Sequence, residues 1–539
     1  MDITVPATMN VCDLLVDENV RHGRAAKAAL ICGDESITYG QLQELTARFA
    51  GGLARLDVVP EQRVLVLLPD GPEFVVAYLG AMRLGAVAVP LNTLLKPQDY
   101  DYLLNDSRAT AVVVDASLLP QLPLDASPWL KHVIVAGKPA SDAAARREPA
   151  HVAAAQGEPS RVVGAEPAGR GIASAPQAHD WETVLATGDP TYPPLMLSSD
   201  DAGFWLYSSG TTGFPKATVH LHQDVLFCMC YGRGVLEVDE TVRTFASSKL
   251  FFAYALGCSL HIPLLAGGTT ILCSDRATPE GIAAIAQRHK PTLFFSVPTF
   301  YAASLHAGVS GEAYASVRFC VSAGEALPPP IYDGWLQRTG KEIVEHIGST
   351  EHIYAFISNR PGEVRPGSSG KPVPGIEARI VDEDLRDVAT GEAGELLIKS
   401  GSTCVAYWNK RRQTKATFLG EWLRTGDVFA QDQDGYFWYQ GRGNDMLKVS
   451  GIWVSPIEVE QTLMEHAAVR DAAVVGAPDH DGLIKPKAFV VRSDSVSEDD
   501  LKAFVKDRLA PYKYPRWIEF VEELPRTATG KVQRYQLRG

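Results

Sequence analysis

The chain lacks most of the features that would assign it quickly. Its 539 residues include only eight cysteines, at positions 12, 32, 228, 230, 258, 273, 320 and 404, and none forms a Cys-x-x-Cys pair. Cys228 and Cys230 lack partner ligands at zinc spacing, so scattered reduced thiols in a core are expected. The first residues, "MDITVPATMNVCDLL", hold no basic start and no long apolar run. No secretion signal is expected there, and a reducing cytoplasm fits. Positive charge is scarce: Lys+Arg 51 against Asp+Glu 64 leaves −13. An acidic chain gains little from a phosphate backbone, which argues against broad nucleic-acid binding but permits a local basic pocket. Uninterrupted apolar runs are also missing. Residues 250–274, "LFFAYALGCSLHIPLLAGGTTILCS", lack Asp, Glu, Lys and Arg, over more than the ~20 residues needed to cross a bilayer. His261, Pro263 and "AGGTT" interrupt them, so the stretch reads as a buried helix, a turn and a buried strand, with no membrane partner.

What is present is mostly alternation. A chain of this length exceeds one ordinary domain. Residues 28–138 alternate short apolar runs with helical stretches. "RVLVLLP" (63–69), "VAVPL" (87–91), "TAVVVD" (110–115) and "HVIVAG" (132–137) read as strands, and "EFVVAYLGAMRLG" (73–85) as a helix. The pattern returns in "GTTILC" (268–273), "PTLFFSVP" (291–298) and "VRFCVSAG" (317–324). Strand–helix alternation predicts an α/β fold with parallel-rich sheets. Residues 138–180 are rich in Ala, Gly, Pro and Ser and read as a low-complexity surface insertion with no chemistry. After about residue 370 the texture turns to short strands between glycine turns. From about 445 a small α+β unit begins, with a helix over "SEDDLKAFVKDRLA" capped by Ser497. The expected domains are residues 1–442 and residues 443–539.

The chemistry concentrates in "YSSGTTGFPKATVH" (207–220), where Ser208, Ser209, Thr211 and Thr212 surround Gly210 and Gly213 ahead of Lys216. Glycines let successive N–H groups point to one spot, hydroxyls add donors and the lysine adds a mobile charge, which together suit a polyphosphate. No Gly-Lys-Ser/Thr opens a helix, so this is not the phosphate loop of a kinase or P-loop ATPase. Taken alone, the loop reads equally well as a surface turn. Four further stretches tip the balance. "GSTEH" (348–352) carries Glu351, a plausible Mg2+ ligand beside phosphates. "WLRTGD" (422–427) ends in Asp427, able to accept from ribose hydroxyls. "GRGNDMLKVSG" (441–451) joins the two domains, and "LPRTATGKVQR" (524–534) offers Lys531.

These five stretches, in this order, resemble the acyl-adenylate-forming superfamily, which includes acyl- and aryl-CoA ligases, peptide-synthetase adenylation domains and luciferases. The resemblance covers nearly the whole chain outside 138–180. "LFFAYALG", "MLKVSGIWVSPIEVE" and "APYKYPR" look most like benzoate- and hydroxybenzoate-CoA ligases. It implies a large N-terminal domain with a β-rich subdomain, a small mobile C-terminal domain, and a soluble monomer or homodimer. It also implies ATP, Mg2+ and coenzyme A, and two half-reactions: a carboxylate becomes an acyl-AMP, then the CoA thiol displaces AMP.

By the same resemblance, Ser208 to Lys216 would hold the β- and γ-phosphates, Thr350 the α-phosphate and Glu351 the Mg2+. Gly324, Glu325, Ala326, His346 and Ile347 would line adenine, with Asp427 and Arg442 at the ribose. Lys531 would bridge carboxylate and α-phosphate during adenylation. The small domain would then turn about Asn444 and Asp445, bringing Lys448, Ser450 and Gly451 to CoA. The hinge position two after Arg442 is usually Asp or Lys in such enzymes; here it is Asn444, which tolerates unusual backbone angles. The acyl pocket would be lined by Ala253, Tyr254, Ala323, Gly348, Ile353, Tyr354 and Ala355. Relatives tend to carry His and a larger aliphatic residue at the positions of Tyr354 and Ala355. The Tyr354 hydroxyl is therefore expected to meet a ring hydroxyl, which favours 4-hydroxybenzoate, with benzoate close behind. The competing readings are a medium-chain fatty acyl-CoA ligase, a non-catalytic nucleotide-binding protein and, more weakly, a peptide-synthetase adenylation module.

Overall fold

A computed structural model describes residues 3–137, 175–208, 214–443, 445–449, 452–480, 483–510, 513–526 and 532–538. Residues 138–174, most of the expected insertion, therefore lie outside it. So do Ser209, Gly210, Thr211, Thr212, Gly213, Asn444, Ser450, Gly451 and Lys531.

The chain divides into two compact units, one of Glu44–Pro69 and Glu73–Leu195, the other of Met1–Gln43, Asp70–Pro72 and Met196–Gly539. The second holds residues on both sides of the boundary expected at 442–443.

The first unit contains five parallel strands in the order Val87–Pro90, Arg63–Leu67, Ala111–Asp115, His132–Ala136 and Gln177–Asp180. The Val/Leu/Ile runs are buried on both faces, as parallel strands covered by helices must be. Gln177–Asp180 corrects the insertion's expected far end. "QAHD" has no apolar signature, yet it pairs with His132–Ala136 through its backbone. Asp180 then caps the helix Trp181–Thr187 by accepting from the Thr183 N–H at 3.0 Å.

The second unit is built on a nine-stranded sheet. Its order is Lys371–Pro372, Ala355–Ser358, Ile343–Gly348, Phe319–Ser322, Leu293–Ser296, Arg243–Ala246, Thr269–Leu272, Ala28–Cys32 and Glu35–Thr38. The middle strands are parallel and the outer pairings antiparallel. An aromatic-rich core of Phe294, Tyr301, Tyr314 and Trp335 fills one layer against it. The uncharged stretch at 250–274 folds as expected: helical turns from Ala253 to Ala266, a left-handed Gly267 (φ 79°) and the strand Thr269–Leu272. No helix among the described residues is long and apolar enough to cross a membrane.

Farther along, Glu377–Val381, Ala393–Lys399, Trp422–Gln431 and Phe437–Arg442 form an antiparallel sheet. The C-terminal segment has its own three-stranded sheet of Val469–Pro478, Ile484–Arg492 and Trp517–Phe520. The helices Pro456–Met464 and Glu498–Arg508 close its separate apolar core. Ser497 caps the second helix by accepting from the Asp500 N–H. All eight cysteines are free, and all but Cys32 are buried.

Candidate active site

The strands Ala202–Ser208 and Lys216–Leu221 pair antiparallel, with Ser208 opposite Lys216. A third strand, Ala406–Tyr407, adds to the Lys216 strand, with Tyr407 opposite Thr218. This register explains the contacts of Lys216. Its Nζ lies 3.9 Å from the centre of the Tyr407 ring and 3.4 Å from Glu351 Oε1. The Tyr407 hydroxyl donates to the same Glu351 oxygen at 2.7 Å. Burial alone would raise the Glu351 carboxyl. Lys216, the Tyr407 hydroxyl and, more weakly, Arg442 outweigh it and hold the group below the usual carboxylate range. Glu351 is thus an ionised carboxylate in a poorly hydrated place, the state needed to hold a divalent cation.

Glu351 stands in a hairpin turn. Ile343–Gly348 pairs antiparallel with Ala355–Ser358, Gly348 opposite Ala355, and residues 349–354 close the bend. A Cβ on Gly348 would sit 2.4 Å from the Tyr354 carbonyl oxygen, so only glycine fits. Ile353 has φ 64°, a backbone state that β-branched residues avoid and that costs about 1–3 kcal/mol. Its N–H donates to the Ser349 carbonyl at 2.8 Å, which closes the turn. Two buried hydroxyls flank this region, Ser208 Oγ and Ser349 Oγ, and neither has a partner among the described residues. Buried polar atoms without partners are costly unless a ligand supplies them.

Gly324 (φ 92°), Glu325 and Ala326 follow the end of the strand Phe319–Ser322. His346, on the adjacent strand, shares a hydrogen bond through Nδ1 with the Tyr231 hydroxyl at 2.7 Å. Burial pushes its imidazole down to about 3, so it is neutral. Ile347 follows it, half-buried. Asp427 and Arg442 are cross-strand partners with Nε 3.0 Å from Oδ1. Arg442 also gives its Nη1 to the Thr425 carbonyl at 2.9 Å. Lys216, Glu351, Asp427 and Arg442 thus belong to one electrostatic neighbourhood, and Thr350 precedes Glu351 in the chain. Lys531 is outside the described residues, but Arg526 and Val532, which bracket it, form a β-bridge. Arg526 Nη1 lies 3.7 Å from Glu325 Oε2. At the expected hinge, the Asp445 N–H donates to the Arg442 carbonyl at 2.8 Å, and Arg538 pairs with Asp445. Lys448 lies in the strand Leu447–Val449.

The expected acyl-pocket residues divide into two groups. Ala253 and Tyr254 open a run of helical turns, half-buried. The Tyr254 hydroxyl is held by the Ser296 and Val321 carbonyls, each at 3.0 Å, and its ring meets His346 edge-on at 5.4 Å. Ala323, Ile353 and Ala355 are buried and apolar. Tyr354 departs from expectation. It is 2% exposed, and its hydroxyl hydrogen-bonds His261 Nδ1 at 2.9 Å. A Cβ on Gly257 would meet the Tyr354 ring at 2.8 Å, so the helix lies directly on that ring. The hydroxyl expected to face a ring substituent is committed to the protein interior.

Sequence reasoning missed Tyr407, whose role depends on a strand pairing far along the chain. It also missed His220, which bonds the Thr350 carbonyl. No local motif marks Tyr407, and His220, the last residue of the stretch at 207–220, carries no role in the sequence reading.

Residues 16–408 match the AMP-binding enzyme family and residues 458–531 the AMP-binding enzyme C-terminal domain. The chain is 43% identical to a benzoate–CoA ligase of Thauera aromatica, covering 99% of this chain and 97% of that protein. It is 41% identical to a 4-hydroxybenzoate–CoA/benzoate–CoA ligase of Rhodopseudomonas palustris, covering 97% and 92%. Its fold superposes on a crystal structure of an anthranilate CoA ligase in complex with anthranoyl-AMP. That match has a TM-score of 0.87 and 38% identity, and covers 99% of this chain and 97% of that one.

Proposed function

The chain belongs to the AMP-binding enzyme family, and from that premise we propose that it is an AMP-forming aryl-CoA ligase for benzoate-type acids. The observation that carries the reading is the Lys216–Tyr407–Glu351 cluster beside the two unpartnered hydroxyls of Ser208 and Ser349. It offers a cation, an ionised carboxylate and spare donors in one place, the set that MgATP asks of a protein. The substrate carboxylate attacks the α-phosphorus, the bond to pyrophosphate breaks, and an aryl-AMP forms. The CoA thiol, losing its proton, then attacks the acyl carbon, and AMP leaves as the thioester forms.

In this scheme Lys216 and the hydroxyl loop neutralise the pyrophosphate as it departs, and Thr350 meets the α-phosphate. Glu351 holds the Mg2+ that arrives with ATP. Gly324 to Ala326, His346 and Ile347 flank adenine, while Asp427 and Arg442 take the ribose. Lys531 serves adenylation, and residues 443–539 then turn about Asn444 and Asp445 so that Lys448, Ser450 and Gly451 reach CoA.

The ring pocket is the finer question. With the Tyr354 hydroxyl bound to His261, the remaining wall from Ala323, Ile353 and Ala355 is apolar. This favours unsubstituted benzoate over 4-hydroxybenzoate, because an apolar wall gives a ring hydroxyl no partner. The test is AMP release with MgATP and CoA on benzoate, 4-hydroxybenzoate, 3-hydroxybenzoate, 2-aminobenzoate and octanoate. Benzoate is expected to give the highest kcat/KM. A preference of about tenfold or more for 4-hydroxybenzoate would reverse the order and return Tyr354 to the substrate. Octanoate leading would replace the aryl reading with a fatty-acid one.

A further inference from the structure

His220 lies on the same strand as Lys216 and is fully buried. Its Nε2 is 2.8 Å from the Thr350 carbonyl oxygen, which can only accept, so Nε2 carries the hydrogen. Nδ1 faces Asp224 Oδ2 at 2.9 Å. That oxygen also accepts from the Leu221 N–H at 3.1 Å, which fixes the carboxylate. Phe204, directly across the strand pair, stacks on the imidazole at 5.0 Å with planes 8° apart. The ring is therefore held at both nitrogens and stacked on one face. Burying a histidine and an aspartate costs stability unless each polar atom is used. Here they join two separate segments, the strand that aims Lys216 and the turn that aims Thr350 and Glu351.

We propose that His220, oriented by Asp224 and Phe204, is a positioning residue for adenylation: it ties the Thr350–Glu351 turn to the Lys216 strand so that both reach the ATP phosphates in one fixed geometry. The inference rests on the ligase reading above. Second-layer hydrogen bonds of this kind are worth about 10–100-fold in activity when they orient a group that must meet charge, and a misplacement of about 1 Å has a similar effect.

The test compares wild type with H220F, H220N and H220Q. Phe keeps the ring shape without polar atoms. Asn carries an amide near the Nδ1 position, and Gln carries a donor near the Nε2 position. Three quantities are read: aryl-AMP formation by pyrophosphate exchange, thioester formation from synthetic aryl-AMP and CoA, and amide exchange across 349–354. H220F and H220N are expected to lose about 10–100-fold in the kcat of adenylation. Their KM for the acid and their thioester step should move far less, and the turn should exchange faster. H220Q should recover most of both the rate and the protection. Phe204→Leu, which keeps the hydrogen bond but frees the ring, should fall between them and serves if H220F fails to fold.

Wild-type adenylation in H220N and H220F overturns the proposal. So does an equal loss in both half-reactions that tracks a fall in Tm. Wild type that adenylates no acid overturns the ligase reading instead. In that event the exchange comparison still decides the tie, because unchanged protection at 349–354 in H220F removes it.

Discussion

Glu345 and Glu351 sit on one strand and the turn that follows it, and the fold treats them in opposite ways. Glu345 is 5% exposed, and its Oε1 accepts a single backbone N–H, from Leu327, at 3.1 Å. Burial pushes its carboxyl up to about 8, so it is protonated at neutral pH. Glu351 is also largely shielded, but Lys216 and the Tyr407 hydroxyl converge on it and keep it ionised. Depth alone therefore does not decide the charge of a carboxyl. The company of a cation and a second donor does. The strand carries one acid that acts as a neutral core group, and the turn after it carries another that stays ionised.

The sharpest way to break this contrast is to remove the cation. Lys216→Ala leaves Glu351 with burial, the Tyr407 phenol and the weaker pull of Arg442, so its carboxyl should rise toward the behaviour of Glu345. Adenylation, measured by pyrophosphate exchange, should fall by about 10²–10³-fold, while thioester formation from synthetic aryl-AMP falls much less. A smaller step is Tyr407→Phe, which removes the hydrogen bond but keeps the ring beneath Lys216. A bond to a charged group is worth about 1.5–3 kcal/mol, so roughly a 10–100-fold loss of adenylation is expected, with a raised KM for MgATP. An unchanged rate would show that Lys216 alone sets the state of Glu351.

The mildest test concerns the other acid. Glu345 is neutral in the fold and ionises near its ordinary value in the unfolded chain. Its contribution to stability is complete at low pH and is lost as pH rises toward about 8. Glu345→Gln does not titrate. Between pH 5 and pH 9, wild type should lose about 2–4 °C more in Tm than the variant. Parallel pH profiles would mean that Glu345 ionises normally in the fold.

The contrast also marks what could be read from the residues. The parallel strands at 63–67, 111–115 and 293–296 announce themselves as apolar runs, and the hydroxyl loop and "GSTE" as motifs, because each signal is local. Glu351 was visible for the same reason. Tyr407 was not: it reaches Lys216 only because Ala406–Tyr407 pairs with the Lys216 strand, and no pattern near residue 407 encodes that pairing. Gln177–Asp180 was read as part of the insertion because an edge strand can join a sheet by backbone alone. Tyr354 reads as facing a ring hydroxyl, but the direction of its own hydroxyl is not legible in the sequence. His261, far away in sequence, decides it.

The bend at 349–354, closed by the left-handed Ile353, has a consequence for how such a chain can change. Under the proposed function, Thr350 and Glu351 serve the triphosphate, while Ile353 and Ala355 border the acid. The two reactants are thus addressed from a single short turn whose length is set by the Gly348–Ala355 pairing. A residue gained or lost inside it would shift both addresses together. New acids are therefore reached by exchanging side chains at constant length, and the nucleotide chemistry is the ruler against which each exchange is measured.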